Sequence, residues 1–189
     1  MSHELAKAND TFTSAMVMGA RPTETARATG HFKAECYDAD GNLKWVAENH
    51  NLVVNVGLQY MAGAALTGTA AGSSWYIGLY GAGASNTPAA TDTLASHAGW
   101  TEVTPYAGNR PSAGLAAATN ANPSVVTNSA SPTAFSINAT ATVGGAFLCN
   151  AASGTSGILF SASDFQSPGD RTVASGDTLN VTYTFSLSA

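Results

Sequence analysis

Thr178-Leu179-Asn180-Val181-Thr182-Tyr183-Thr184-Phe185-Ser186-Leu187 is the stretch that decides the fold. Leu179, Val181, Tyr183, Phe185 and Leu187 recur at every second position, and Thr178, Asn180, Thr182, Thr184 and Ser186 fill the places between them. Successive side chains of a β-strand point to opposite faces, so this run has one face for a core and one for water. A helix would spread the same residues around its circumference.

Working back towards the N-terminus, short extended runs at 124–127, 134–138, 140–148 and 157–161 are each bounded by Gly, Pro, Asn or Ser. Ser74-Trp75-Tyr76-Ile77-Gly78-Leu79-Tyr80 is rich in aromatic and β-branched residues, which suit a half-buried pleated surface. Residues 100–103 are extended, 107–123 read as loop, and 91–96 fit one helical turn with Pro88 and Thr91 near its entry. His31-Phe32-Lys33-Ala34-Glu35-Cys36-Tyr37 alternates, Asp38-Ala39-Asp40-Gly41-Asn42 turns, and Leu43-Lys44-Trp45-Val46-Ala47 returns, which is a β-hairpin. Within 51–66, Val54, Leu58, Met61 and Leu66 approximate a helical stripe, with Asn51 or Asn55 as the cap. Residues 1–28 show no such periodicity and form an extended N-terminal arm ahead of a domain over 29–189. Short strands with frequent turns and one or two short helices predict a mainly β chain, a β-sandwich of which the jelly roll is one arrangement.

The chain has 189 residues, 44% of them hydrophobic but only 10% charged, against about 25% in an ordinary domain. Its surface is therefore largely Ser, Thr, Asn and Ala, which is cheap to desolvate when another protein is laid against it. The net charge of −5 comes with no Lys/Arg cluster of the kind that neutralises phosphates, which argues against nucleic acid as a partner. The apolar run 52–66 is interrupted by Asn55, Gly57, Gln59 and Gly63 and is too short to cross a bilayer. Cys36 and Cys149 read as buried, unpaired small apolar residues, and nothing before them resembles a secretory signal. Met16-Val17-Met18 is an apolar patch with nothing to cover it inside the arm, so a neighbouring subunit is the expected cover.

Chemistry is thinly represented. The Asp38–Asn42 segment begins like a calcium loop, but Leu43 stands where the sharp-turn glycine belongs and Asn49 where a bidentate Glu is needed, so a plain turn accounts for it. His3, His31, His50 and His97 are the only good bases near neutral pH. His31 and His50 flank the first hairpin and can face each other, and no Gly-x-Ser-x-Gly elbow accompanies any of the four. Cysteine and histidine spacings match no metal motif, and the glycines of 78–83 lack the Lys-Ser/Thr of a phosphate loop. The expectation is no catalytic residue, no metal and no cofactor. On 74–80 the alternation sends Trp75, Ile77 and Leu79 one way and Tyr76 and Tyr80 the other, which makes Tyr76 and Tyr80 the candidate contact residues.

The order Phe32-Lys33-Ala34-Glu35-Cys36-Tyr37-Asp38-Ala39-Asp40-Gly41-Asn42-Leu43-Lys44-Trp45, Asn51-Leu52-Val53, Trp75-Tyr76-Ile77-Gly78-Leu79 and Asp92-Thr93-Leu94-Ala95-Ser96-His97-Ala98-Gly99-Trp100-Thr101-Glu102-Val103 resembles a family of small structural proteins of tailed-bacteriophage particles, whose members lie near capsid genes. Gly145-Ala146-Phe147-Leu148, Gly157-Ile158-Leu159-Phe160-Ser161 and Gly176-Asp177-Thr178-Leu179 are similar to the same family, so that the resemblance spans residues 30–189. It implies a capsid decoration or cement protein, made in the bacterial host cytoplasm and fastened to the outer capsid surface. The implied partners are the major capsid protein and further copies of itself as a homo-oligomer. A tail-fibre or receptor-binding module is the alternative, though no long repetitive or coiled-coil segment supplies a shaft. A polysaccharide-degrading enzyme would need a carboxylate pair, and Glu102, Asp164, Asp170 and Asp177 have no spacing that sets them apart.

Overall fold

The computed structural model describes residues 25–68, 74–81, 87–166 and 169–189. Two antiparallel sheets face each other. The first runs β2 (Leu43–His50), β1 (Arg27–Tyr37), β11 (Thr178–Ser188) and β6 (Ser124–Thr127), with β7 (Thr133–Ser136) also paired to β11. The second runs β3 (Leu52–Val53), β9 (Leu159–Asp164), β8 (Ala141–Cys149), β4 (Tyr76–Gly81) and β5 (Glu102–Val103), with β10 (Arg171–Val173) also on β8. The alternating stretch is the centre of the first sheet: β11 pairs with β1 along its whole length, from Thr178 opposite Tyr37 to Ser188 opposite Arg27. Arg27 and Ala28, assigned to the arm from sequence, therefore belong to the domain, because Ser188 and Leu187 extend the ladder to them.

Phe32, Ala34 and Cys36 of β1 and Leu179, Val181 and Tyr183 of β11 meet Ile77 and Leu79 of β4 and Ala146 and Leu148 of β8 in the main core. Strand β8 is buried from Val143 to Cys149 because both of its faces are covered. On the side away from the first sheet, Tyr80, Phe147, Cys149 and Leu159 pack with Leu94 and Trp100 in a second core. The sandwich is thus three layers deep there. Segment 91–96 is not a helical turn: Thr93 and Ser96 bridge each other, and Asp92 Oδ2 accepts from Ala89 N (2.9 Å) and Trp100 Nε1 (3.0 Å).

At the hairpin the turn is closed by Asp38, whose Oδ1 accepts from Asp40 N (3.0 Å) and Asn42 N (2.8 Å), while Gly41 takes φ +84°. Those bonds, that from Asn42 N first, hold the Asp38 carboxyl below its ordinary range. Asp177 Oδ2 accepts from Lys44 Nζ (2.6 Å) and Ala174 N (2.7 Å), clipping β2 to the turn before β11. Between β6 and β7 the chain leaves the ladder, and the Asn128 side chain replaces it. Its Oδ1 accepts from Tyr183 N (2.8 Å) and its Nδ2 donates to Val181 O (3.2 Å).

Helix α1 (Asn55–Leu66) follows the crossing from β2 to β3. Neither asparagine caps it. Val54 occupies the N-cap position with no side-chain bond, Asn55 N donates to Ala90 O (2.8 Å), and Asn51 Nδ2 donates to the Tyr183 hydroxyl (3.2 Å). Nor does the expected stripe face the core: Val54 is buried and Met61 half-buried, but Leu58 is 43% and Leu66 84% exposed. The helix touches β9 through Gly57, where a Cβ would overlap the Phe160 carbonyl. That close approach fixes the rotation of the helix and turns Leu58 outward.

Candidate interaction surface

The first sheet outruns the second at the end where β1 begins. Along the inner face of β11, Leu179, Val181 and Tyr183 are buried, Phe185 is half-buried and Leu187 is 38% exposed. Opposite Phe185 the sandwich gapes into a cleft of about 150 Å³ walled by Trp75, Leu115, Val126, Phe160 and Phe185, with the buried Leu148 and Tyr183 behind them. Among the described residues that line it, the Tyr183 phenol and the Trp75 indole N–H are the only polar side-chain groups.

An aromatic ladder crosses this end. Tyr60 on α1, Trp75, Phe160 on β9 and Phe185 on β11 follow one another with ring centroids 5.4 Å apart at each step, all edge to face. Such pairs each contribute roughly 0.5–1.5 kcal/mol beyond area burial, so the ladder is a rigid wall. Tyr60 also borders a broader recess of about 690 Å³, lined by Val56, Ala62, Leu66 and Ile158 together with the polar Gln59, Thr67 and Thr93. Leu58 and Leu66 stand on this same helix, which carries no charged residue.

The residues expected to make contacts are distributed differently. Met16, Val17 and Met18 lie outside the described residues. Tyr76 is half-buried against the second core. Tyr80 is 0% exposed, so it is a core residue and not a contact. The alternation on β4 places it correctly on the second face, but Trp100, 5.1 Å away centroid to centroid, covers that face. Burial raises the Tyr80 phenol well above its ordinary pKa, with Asp164, Asp170 and Asp92 adding to the effect.

The histidines do face one another where the hairpin opens: His31 lies opposite His50 in the register, their rings 5.8 Å apart, and His31 Nε2 is 3.1 Å from Glu48 Oε1. His97 stacks flat on Trp100 at 3.7 Å and its Nδ1–H donates to Trp100 O (2.8 Å), which fixes the tautomer. Beside His50 a polar recess of about 370 Å³ includes Ser163 and Asp164, the latter's carboxyl raised by burial and then by Asp170. Ser163 Oγ is committed to His50 O (3.0 Å). Among the described residues no three of His, Cys, Asp and Glu converge on a point that would hold a metal, and no helix is long and apolar enough to cross a membrane.

The exposed face of α1 and the cleft went unseen in the sequence, though a signal was there. No Asp, Glu, Lys or Arg stands between Glu48 and Asp92, between Arg110 and Asp164, or after Asp177. Those gaps supply α1, Trp75, Leu115, Val126, Phe160 and Phe185. The charges collect elsewhere, as in the clamp of Arg110, which donates to both Glu102 carboxylate oxygens (2.7 and 2.6 Å) and to Ala151 O and Gly154 O. What distinguishes this end, among the described residues, is the apolar and aromatic lining of the cleft beside the exposed leucines of α1.

No protein-family model, curated protein or solved structure matches this chain.

Proposed function

We propose that this chain is a structural protein of a tailed-bacteriophage particle, a decoration or cement protein that binds the outside of the capsid and bridges neighbouring capsomers. The observation that supports the reading is the apolar open end of the sandwich, where Leu58, Leu66 and Leu187 are exposed beside a rigid aromatic wall. Burying one leucine fully contributes roughly 1.5–3 kcal/mol, and no ion has to be stripped of water to do it. Repeated over every copy on a shell, such contacts oppose the outward pressure of packaged DNA. The resemblance of residues 30–189 to small virion proteins points the same way and supplies the partners: the major capsid protein and further copies of this chain. On this reading the protein performs no chemical step, uses no cofactor, and resides on the outer capsid surface.

The test is binding of the purified full chain to assembled capsids and, separately, to unassembled capsid subunits. Binding at least ten-fold tighter to assembled capsids is expected, because a bridging site exists only where capsomers meet. Replacing Leu58 and Leu66 with Lys should weaken it at least ten-fold while leaving the domain folded. Localisation of the full chain to tail tips in an electron cryo-microscopy map of the particle would sink the decoration reading in favour of a receptor-binding module.

A further inference from the structure

We infer that the aromatic cleft at the open end of the sandwich is the seat of the Met16-Val17-Met18 segment of a neighbouring copy of this chain, so that copies are joined by exchanged arms. The inference deepens the homo-oligomeric part of the proposed function and rests on it.

The size and chemistry of the cleft select the occupant. At about 150 Å³ it has the volume of an apolar cavity that stays dry and takes up a benzene-sized group. That is room for one or two apolar side chains, too little for a strand or a helix. Its walls are Trp75, Phe160 and Phe185 with Leu115 and Val126, and thioether sulfur makes favourable contacts with aromatic ring edges. Methionine is also the side chain best able to adapt to an irregular gap. The chain has four methionines: Met1, Met61, which packs on the main core, and Met16 and Met18. Any two residues two apart in an extended chain share one face roughly 6.8 Å apart, a spacing of the same order as the 5.4 Å step of the aromatic ladder. Segment 69–73, which precedes Trp75, is Thr-Ala-Ala-Gly-Ser and offers nothing large enough to fill the site.

The exit of the arm selects a neighbour over the same chain. The cleft lies at the level of Phe185, which pairs with Gly30, and β1 begins three residues further out, at Arg27 opposite Ser188. Followed backwards, β1 therefore runs past the level of its own cleft and points away from it at Arg27. From Arg27, where β1 begins, to Met18 is nine residue steps, and a chain of that length spans at most about 30 Å, far enough to arrive at an adjacent domain. Exchange of an identical element is a low-cost route to an oligomer, because each copy both gives and receives.

The test uses the full chain in solution, without capsid. Chains carrying ¹³C only in methionine methyl groups are mixed in equal amounts with chains labelled only in aromatic rings. Contacts from the Met16 and Met18 methyls to Trp75, Phe160 and Phe185 are expected between differently labelled chains, with both methyl signals shifted upfield by the rings. Replacing Met16 and Met18 together with Asp should abolish those contacts and raise the dissociation constant of the oligomer at least ten-fold. Because this variant changes nothing inside the described domain, its thermal unfolding serves as the control. The inference is overturned if the contacts occur only within one chain, if both methyls stay at their unfolded-chain positions, or if the chain is monomeric at the concentrations used. None of these results touches capsid binding through Leu58 and Leu66, so a failed arm exchange and a failed decoration reading give different outcomes.

Discussion

Strand β11 is one alternating pattern with two fates. At its start, Leu179 is sealed between the sheets and Asp177 just before it is clipped to Lys44 and Ala174; at its end, Leu187 is 38% exposed and Phe185 forms the wall of an open cleft. The residues are of the same kind at both ends. What differs is the cover, which beyond Tyr183 gives way to a cleft walled by Trp75 and Phe160. Alternation therefore states which face of a strand is apolar but not what covers it.

The comparison breaks most directly at its buried end. Leu179→Ala should cost about 2–5 kcal/mol, measured by denaturant unfolding, against less than about 0.5 kcal/mol for Leu187→Ala at the bare end. Equal costs would mean that the open end is closed in the isolated protein. Midway along the strand, Asn128→Ala removes the acceptor for Tyr183 N–H and the donor to Val181 C=O. Leaving such buried groups unpaired costs roughly 2 kcal/mol, and hydrogen exchange at Tyr183 should accelerate first.

Asp177→Asn should cost about 1 kcal/mol, since Lys44 is a third exposed and water screens the pair. Its pH dependence is a sharper test. Burial raises the Asp177 carboxyl, but bonds from Lys44 and Ala174 outweigh it and leave the group below its ordinary value. A carboxyl held low in the folded state contributes fully above the unfolded value of about 3.9 and loses that contribution as the pH falls through the lower folded value. The gap between the native protein and the Asn variant should thus narrow below about pH 4 and be flat from pH 5 to 8. The smallest effect on stability is expected from Leu66→Lys, within about 0.5 kcal/mol, and its consequence should appear only in binding.

Much of the fold was legible because its signals are local. The 178–187 alternation and the 31–47 hairpin with its Asp38–Asn42 turn need no tertiary information. Tyr80 was assigned to the correct face of β4 but to the wrong environment, because its cover comes from Leu94 and Trp100 in a segment without regular structure. Helix α1 was visible and its orientation was not, since a single contact of Gly57 with Phe160 outweighs the stripe of Val54, Leu58, Met61 and Leu66. Arg110 and Asn128 escaped for a related reason: their partners lie far away in sequence, and an isolated polar residue in a loop carries no periodicity. The apolar lining of the cleft was written in the one-dimensional distribution of charge.

Cys36 sits in the first sheet and Cys149 in the second, each buried and neither bonded to the other. Burial, with Asp177 adding to it, pushes the Cys36 thiol up to about 12, and burial raises Cys149 as well, so in the folded chain neither is a thiolate near neutral pH. Two silent thiols, one per sheet, make the molecule its own pair of clocks: the rate at which each is alkylated reports how often its sheet opens, and whether the two halves of the sandwich come apart together or in turn.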